Sequence, residues 1–366
     1  MSGKKVYAML SGGVDSSVAA ARLKEQGYDV VGVFMKCWSL EQLKGLGVSE
    51  DLYGCFWEDD ARDAELVAKK IGIPFEVWDF ENDYKQNVVQ YMLNEYAIGK
   101  TPNPDVMCNS TIKFGVFYNR AMSLGADYVA TGHYARLALL EAAGDQKVIA
   151  RGKDSNKDQS YFLWGIKQKQ LDHILFPAGE FASKTELRSY AKNLNLITAS
   201  KPDSQGLCFI GKTPLRELLL QTLGKQTGQI IDQDGNKLGT HDGAYLYTIG
   251  QRGQLGLSGG PWYVVEINIK TNQVIVSHQT QKSSLFQDRC VVKSSNWSVD
   301  IDEYLKKYQQ IEAQIRYRQI PEKCYLQILD SDALSVTFMQ PVRAIAKGQS
   351  VVFYSGKYML GGGVIM

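Results

Sequence analysis

Residues 4 to 17 read KKVYAMLSGGVDSS, and no other stretch restricts the fold as tightly. An apolar run, Val6 to Leu10, stops at Ser11-Gly12-Gly13; after Val14-Asp15-Ser16-Ser17, the sequence VAAARLKEQG has helical spacing. Strand, tight loop and helix N-terminus in that order aim backbone N–H groups at one spot, which suits an anion, most naturally a phosphate. The glycines allow close backbone approach, and the serines add hydroxyl donors. The Lys-Ser/Thr ending of a Walker A loop is missing, and so is GxGxxG. The competing reading is an ordinary Gly/Ser-rich turn. Two glycines, three serines and an Asp within seven residues favour phosphate binding.

The following segments extend that unit. DVVGVFMK (29 to 36) is nearly all apolar, as in a strand buried on both faces, and ends near Met35. A long polar connection runs to about residue 57. Residues 58 to 72 read as a helix with an acidic start and a Gly stop, IPFEVWDF as a strand, and 82 to 99 as a helix. TPNPDVMCNS (101 to 110) reads as a loop because two prolines stand two apart. A helix follows, then a strand ending near Thr131-Gly132-His133. This alternation predicts an α/β domain with a parallel sheet, whose ligands gather at the carboxyl ends of the strands. Residues 134 to 205 read as hairpin-like and then helical. A helix at 213 to 223 leads into a turn-rich β module, and further strands from about 286 predict a second β domain, a β-barrel. The expected domains are 1–212, 213–285 and 286–366.

At 366 residues the chain is long enough for two or three domains. A formal net charge of +2 does not mark a nucleic-acid binder, so any such surface must be local. One candidate is 147 to 170, with six Lys/Arg against two Asp and with Tyr161, Phe162 and Trp164 among them. Composition alone slightly favours a solvated loop before an amphipathic helix there. No membrane span or signal peptide is legible, so the expected location is cytoplasmic.

Six cysteines occur without a CxxC, and the four histidines are scattered, so no metal site is expected. Most should be free, buried thiols. Asp105 and Cys108 offer a candidate general base and nucleophile three residues apart. A nearby carboxylate raises a thiol pKa, so activation would need cationic or dipolar surroundings. A capping Asp with a packing Cys is the plainer reading of an isolated DxxC. Cys208 follows Gly206-Leu207, which fits an exposed sulfur carrier; Cys-Phe-Ile also fits the start of a buried strand. Nothing local links the two cysteines. His133 could contact phosphate or base, or be a satisfied hydrogen-bonding residue.

Taken together, the motifs resemble a known family. SGGVDSS resembles the loop of the N-type (PP-loop) ATP pyrophosphatases. TPNPDVMCN, TGHYAR, KDQSYFLW, DSQGLCFIG, YTIGQRGQLGL and IRYR, in that order, closely resemble bacterial tRNA-specific 2-thiouridylases, from residue 4 to the C-terminus. The resemblance implies a PP-loop domain followed by two small β-rich domains. It implies transfer of AMP from ATP to the C2 oxygen of a tRNA wobble uridine, release of pyrophosphate, and replacement of that oxygen by persulfide sulfur. Cys208 matches the persulfide carrier. Cys108 matches the nucleophile that can form a disulfide with it, and Asp105 the acid/base candidate. ATP contacts carry over to Met9, Leu10, Ser11, Gly12, Gly13, Val14, Asp15, Ser16, Met35 and Gly132, with Mg²⁺ accompanying ATP. tRNA contacts carry over to Asn103, Pro104 and Asp105 at the target base, and to His133, Lys157, Asp158, Gln159, Arg316, Tyr317 and Gln349. The implied partners are tRNA and an upstream persulfide donor, a sulfur carrier or a cysteine desulfurase.

The resemblance also turns 147 to 170 into part of an RNA surface, and Cys37 stays an incidental thiol. The competing readings are another PP-loop ligase or amidase acting on a small metabolite, and a non-catalytic RNA-binding protein.

Overall fold

A computed structural model describes residues 3–45, 57–203, 215–278, 284–330 and 332–366. Cys55 and Cys208 lie outside the described residues. The N-terminal strands are β1 (Lys5–Met9), β2 (Asp29–Lys36), β3 (Phe75–Asp79), β4 (Tyr128–Ala130), β5 (Ala135–Leu140), β6 (Gln146–Arg151) and β7 (Ile174–Leu175). Five of them form a sheet in the order β3-β2-β1-β4-β7, parallel throughout, as the alternation predicts. The order reverses between β1 and β4, so their carboxyl ends flank the crevice where such sheets take ligands.

Period-two alternation fills both faces of this sheet. Val6, Ala8, Val30 and Phe34 pack with Ala20 and Leu23 of the helix Val14–Glu25 and with Ala61, Ala64 and Ala68 of the helix Trp57–Ile71. Tyr7, Met9, Val31, Val33 and Met35 belong to the opposite core, with Met92, Cys108, Ile112 and Phe117.

The segment 101–110 departs from the expected loop. Helix begins at Pro104 and widens to π-helical hydrogen bonding over Cys108–Phe117. Pro104 occupies the first helical position, where a missing N–H costs nothing, and the Asn103 side chain caps the turn by accepting from Val106 N at 3.2 Å. The two prolines therefore mark a helix start.

The central module has β8 (Gly228–Asp232), β9 (Lys237–His241), β10 (Trp262–Asn268) and β11 (Gln273–His278), in the order β10-β11-β8-β9. The last module has β12 (Phe286–Trp297), β13 (Ile311–Gln314), β14 (Glu322–Ile328), β15 (Ala333–Arg343), β16 (Ser350–Ser355) and β17 (Tyr358–Ile365). Pairing of β12 with both β15 and β17 closes these six strands into the expected barrel. The hairpin β5–β6 joins the barrel's sheet through Tyr358 and Ala150. Among the described residues, no helix is long and apolar enough to cross a membrane.

Candidate active site

The Gly-rich loop leaves β1 at the reversal of strand order. Ser11 N donates to Ser16 Oγ at 3.1 Å, and the Ser16 and Ser17 hydroxyls donate to Gly13 O at 3.1 and 2.8 Å. Gly13, the N-cap of the helix Val14–Glu25, brings no side chain to its first N–H groups, which remain oriented for an anion. Gly12 has φ +71°, and a Cβ there would collide with the Asp60 carbonyl. Gly132, after β4, presses on the same loop: its Cβ would lie 2.7 Å from Ser16 N. Leu10 and Val14 are buried beneath the loop, while Met9 and Met35 share a core with Cys108. The structure thus brings Ser11, Gly12, Gly13, Ser16 and Gly132 together at the end of β1, with Met9, Leu10, Val14 and Met35 buried in the cores around it.

Cys108 sits one helical turn into the helix begun at Pro104, fully buried. Burial pushes its thiol up to about 11; Lys113 pulls it down, and Asp105 raises it further. His133 is held neutral by burial and by the same Lys113 charge, and its Nδ1 lies 2.8 Å from Thr131 Oγ1. Lys113 therefore links the thiol electrostatically to the residue beside Gly132. Its Nζ donates to Asn109 Oδ1 at 3.0 Å.

All three modules hold the lead into this helix. Thr101 N donates to Lys347 O at 2.8 Å, and Gln349 Nε2 donates to Thr101 O at 2.8 Å and Pro102 O at 3.3 Å. Thr101 Oγ1 and Thr248 Oγ1 of the central module are 3.0 Å apart. Arg316 joins the same junction by donating to Ile249 O at 2.7 Å and Ala344 O at 3.0 Å. Tyr317 packs against Phe162, ring centroids 4.6 Å apart.

The 147–170 stretch differs from the expected loop and amphipathic helix. It contains β6 and short 3₁₀ turns rather than an amphipathic helix. Its aromatics are anchors: Tyr161 and Trp164 are buried, and Tyr161 Oη donates to Ser350 O at 2.9 Å in the barrel. Much of its charge is paired, Lys147 with Asp172, Arg151 with Asp158, Lys153 with Glu180 and Lys157 with Asp203. Asp158 is buried and accepts from Gly152 N, Ser160 N, Ser160 Oγ and Arg151 Nη1. Gln159 Oε1 accepts from Tyr134 N at 3.0 Å.

Sequence reasoning missed an ionic cluster at the loop's edge. Asp15 accepts from Tyr134 Oη at 2.7 Å and from Lys184 Nζ at 2.7 and 2.8 Å. Lys184 also pairs with Asp203 at 2.8 Å, as do Lys157 and Arg188 at 3.0 and 2.9 Å. Lys184 is 169 residues from Asp15, so no local spacing announces it. Among the described residues, no group of three or more His, Cys, Asp or Glu side chains could hold a metal ion, and Cys108, Cys290 and Cys324 are free thiols.

Comparison with known proteins matches three family models in series: a tRNA methyl transferase HUP domain over residues 4–212, a tRNA methyl transferase PRC-barrel domain over 216–278, and an aminomethyltransferase beta-barrel domain over 287–365. The tRNA-specific 2-thiouridylases MnmA of Staphylococcus aureus strains RF122 / ET3-1 and JH9 are each 44% identical over 363 residues, covering 99% of this chain and 95% of theirs. A solved 4-thiouridine synthetase–RNA complex with bound ATP covers 60% of this chain and 50% of its own, at 20% identity and a TM-score of 0.36, too low to add to the argument. With near-complete coverage at that identity, and with all three modules matched in order, the chain belongs to the bacterial tRNA-specific 2-thiouridylase family.

Proposed function

We propose that the protein thiolates C2 of the wobble uridine of tRNA at the expense of ATP. The observation that carries this reading is the junction at which the Gly-rich loop, His133 and the Asp105/Cys108 helix share one end of the sheet, braced by both β modules. Ser11 to Ser16 and Gly132 hold the phosphates of ATP. The uridine C2 oxygen attacks the α-phosphorus, pyrophosphate leaves, and the base carries AMP on that oxygen. The terminal sulfur of a Cys208 persulfide attacks C2, and AMP departs with the oxygen. The Cys108 thiolate then attacks the Cys208 sulfur and breaks the S–S bond, leaving 2-thiouridine and a Cys108–Cys208 disulfide. A two-electron thiol reductant restores the pair, and an upstream persulfide donor reloads Cys208.

Asn103, Pro104 and Asp105 meet the target base, with Asp105 as acid/base. His133, Lys157, Gln159, Arg316, Tyr317 and Gln349 serve the tRNA. Asp158, satisfied internally, serves by fixing its neighbours Lys157 and Gln159. Mg²⁺ would travel on the ATP phosphates with Asp15 as the nearby carboxylate. Extraction of a stacked anticodon base into the pocket fits the buried position of Cys108.

The test is purified protein with ATP, Mg²⁺, a persulfide donor and tRNA, with nucleosides read by mass spectrometry. 2-Thiouridine and AMP are expected, and Cys208→Ala should abolish thiolation while tRNA and ATP still bind. A methylated nucleoside, the product the family-model descriptions suggest, or no product at all, would overturn the reading.

A further inference from the structure

Cys108 has to meet both sulfur and an RNA base, yet it is fully buried and shares a core with Met9 and Met35. Some part of its surroundings must give way, and the structure leaves room for that on one side. A cleft of about 230 Å³ separates the helix that begins at Pro104 from the C-terminal barrel. Asn103, Val106, Met107 and Ser110 line it at the i, i+3, i+4, i+7 spacing of a single helical stripe. Asp105 and Cys108 lie off that stripe, so the cleft is at the back of the face that carries them. Trp164 and, from β17, Val364 stand across from the helix. At about 30 Å³ per water the cleft holds several, whereas close-packed interiors leave few voids of that size. Packing there is also unfinished, because Trp164 is buried and its indole N–H has no hydrogen-bond partner.

The helix is weakest where it backs onto this space. Its hydrogen bonding takes the π form from Cys108 to Phe117, a rare pattern that collects at functional sites. Ser110 Oγ donates to Val106 O at 2.9 Å, and Thr111 Oγ1 donates to Met107 O at 2.7 Å. Hydroxyl bonds to the preceding turn loosen and bend helices. On either side the chain is tied. Thr101 and Pro102 are held by Gln349, Asn109 Nδ2 donates to Phe162 O at 3.1 Å, and Gln170 Nε2 donates to Phe114 O at 2.6 Å. Bending therefore falls on the turn from Asn103 to Cys108, which has a void behind it.

We propose that this turn recoils into the cleft when a base enters, and that the cleft is the space that permits it. The proposal rests on the thiolation reading above. Recoil draws the turn away from the core that covers Cys108 and opens room on the Asp105 side. It carries Met107 into the void, so packing lost in front is regained behind.

The test fills the void from each wall, with Met107→Phe on the helix and Val364→Phe on the barrel. In the RNA-free protein, iodoacetamide labelling of Cys108 reads how often the turn opens. Each filler should slow labelling about tenfold. Each should also slow single-turnover thiolation, with ATP and tRNA affinities within a few-fold of wild type. Met107→Ala, which enlarges the void, should speed labelling. Damage to the fold would expose Cys108 and speed labelling, so slowing cannot come from a folding defect. Labelling at or above the wild-type rate in both fillers would overturn the proposal. Slowed labelling in the fillers, with no 2-thiouridine made by the wild type, would refute the reaction and leave the motion standing. Thiolation by the wild type, matched in labelling and rate by both fillers, would refute the motion and leave the reaction.

Discussion

Gly132 and Ser16 touch so closely that a Cβ on Gly132 would lie 2.7 Å from the Ser16 backbone nitrogen. One residue stands after β4 and the other in the loop after β1, so this contact closes the crevice at the reversal of strand order. Backbone cannot yield as a flexible side chain does. Gly132→Ala is therefore expected to push the loop aside and raise the ATP KM about tenfold or more, as misplacement of binding groups does. tRNA affinity should stay near wild type in a filter-binding assay.

Cys108 should be unreactive in the RNA-free protein. It is fully buried and its thiol is raised to about 11. Iodoacetamide labelling of Cys108, followed by peptide mass spectrometry, should be slow at pH 7 to 8 and should rise with pH toward about 11. Addition of tRNA should accelerate it if base insertion opens the helix around Cys108. Rapid labelling at neutral pH without RNA would contradict this environment.

Lys157 and Asp158 are adjacent but should behave differently. Asp158 accepts four hydrogen bonds in a buried setting, so Asp158→Ala should lower stability by about 3 to 5 kcal/mol, because Arg151 loses its partner. Urea denaturation reads this directly. Lys157→Ala should leave stability nearly unchanged, weaken tRNA binding, and reduce the salt slope by about 1.

Gln349 crosses from the barrel to the carbonyls of Thr101 and Pro102. Gln349→Ala should cost about 1 kcal/mol in urea unfolding. It should reduce thiolation more than ATP affinity, since it loosens the lead into the Asp105/Cys108 helix rather than the phosphate loop.

Asp203 should confer stability that depends on pH. Burial alone would push its carboxyl up, but the hydrogen bonds from Lys184 and Lys157 overcome that and hold it well below the ordinary carboxylate range. With its folded pKa depressed, its contribution is fully present above the unfolded value of about 3.9 and is lost as pH falls through the folded one. The side chain is 39% exposed, so solvent screening limits the effect to about 1 kcal/mol. Asp203→Asn should therefore unfold earlier than wild type at pH 7, and the difference should shrink below about pH 4.

Features written over short distances were legible before folding. The apolar run into Ser11-Gly12-Gly13, the alternation that gives a parallel sheet and the late series of short strands all depend on neighbouring residues, and each appears in the structure. The barrel's first strand, Phe286–Trp297, did not stand out, because its mixed and largely exposed side chains lack a clean alternation. The loop expected at 101–110 is helical from Pro104 onward, because proline can begin a helix that it cannot continue. The aromatics of 147–170 stood beside basic residues in the sequence, yet Tyr161 and Trp164 are buried against the barrel.

The strand–Gly-rich loop–helix unit, the parallel core and the succession of modules followed from local sequence, since strand period, helix spacing and turn chemistry act over a few residues. The ionic cluster did not. Asp15 meets Lys184 across 169 residues, and Gln349 meets Thr101 across 248. Such pairs have no spacing rule. They exist because hydrophobic cores on both faces of the sheet and the closure of the barrel bring distant backbone together, and only then can charges and donors settle which of them meet.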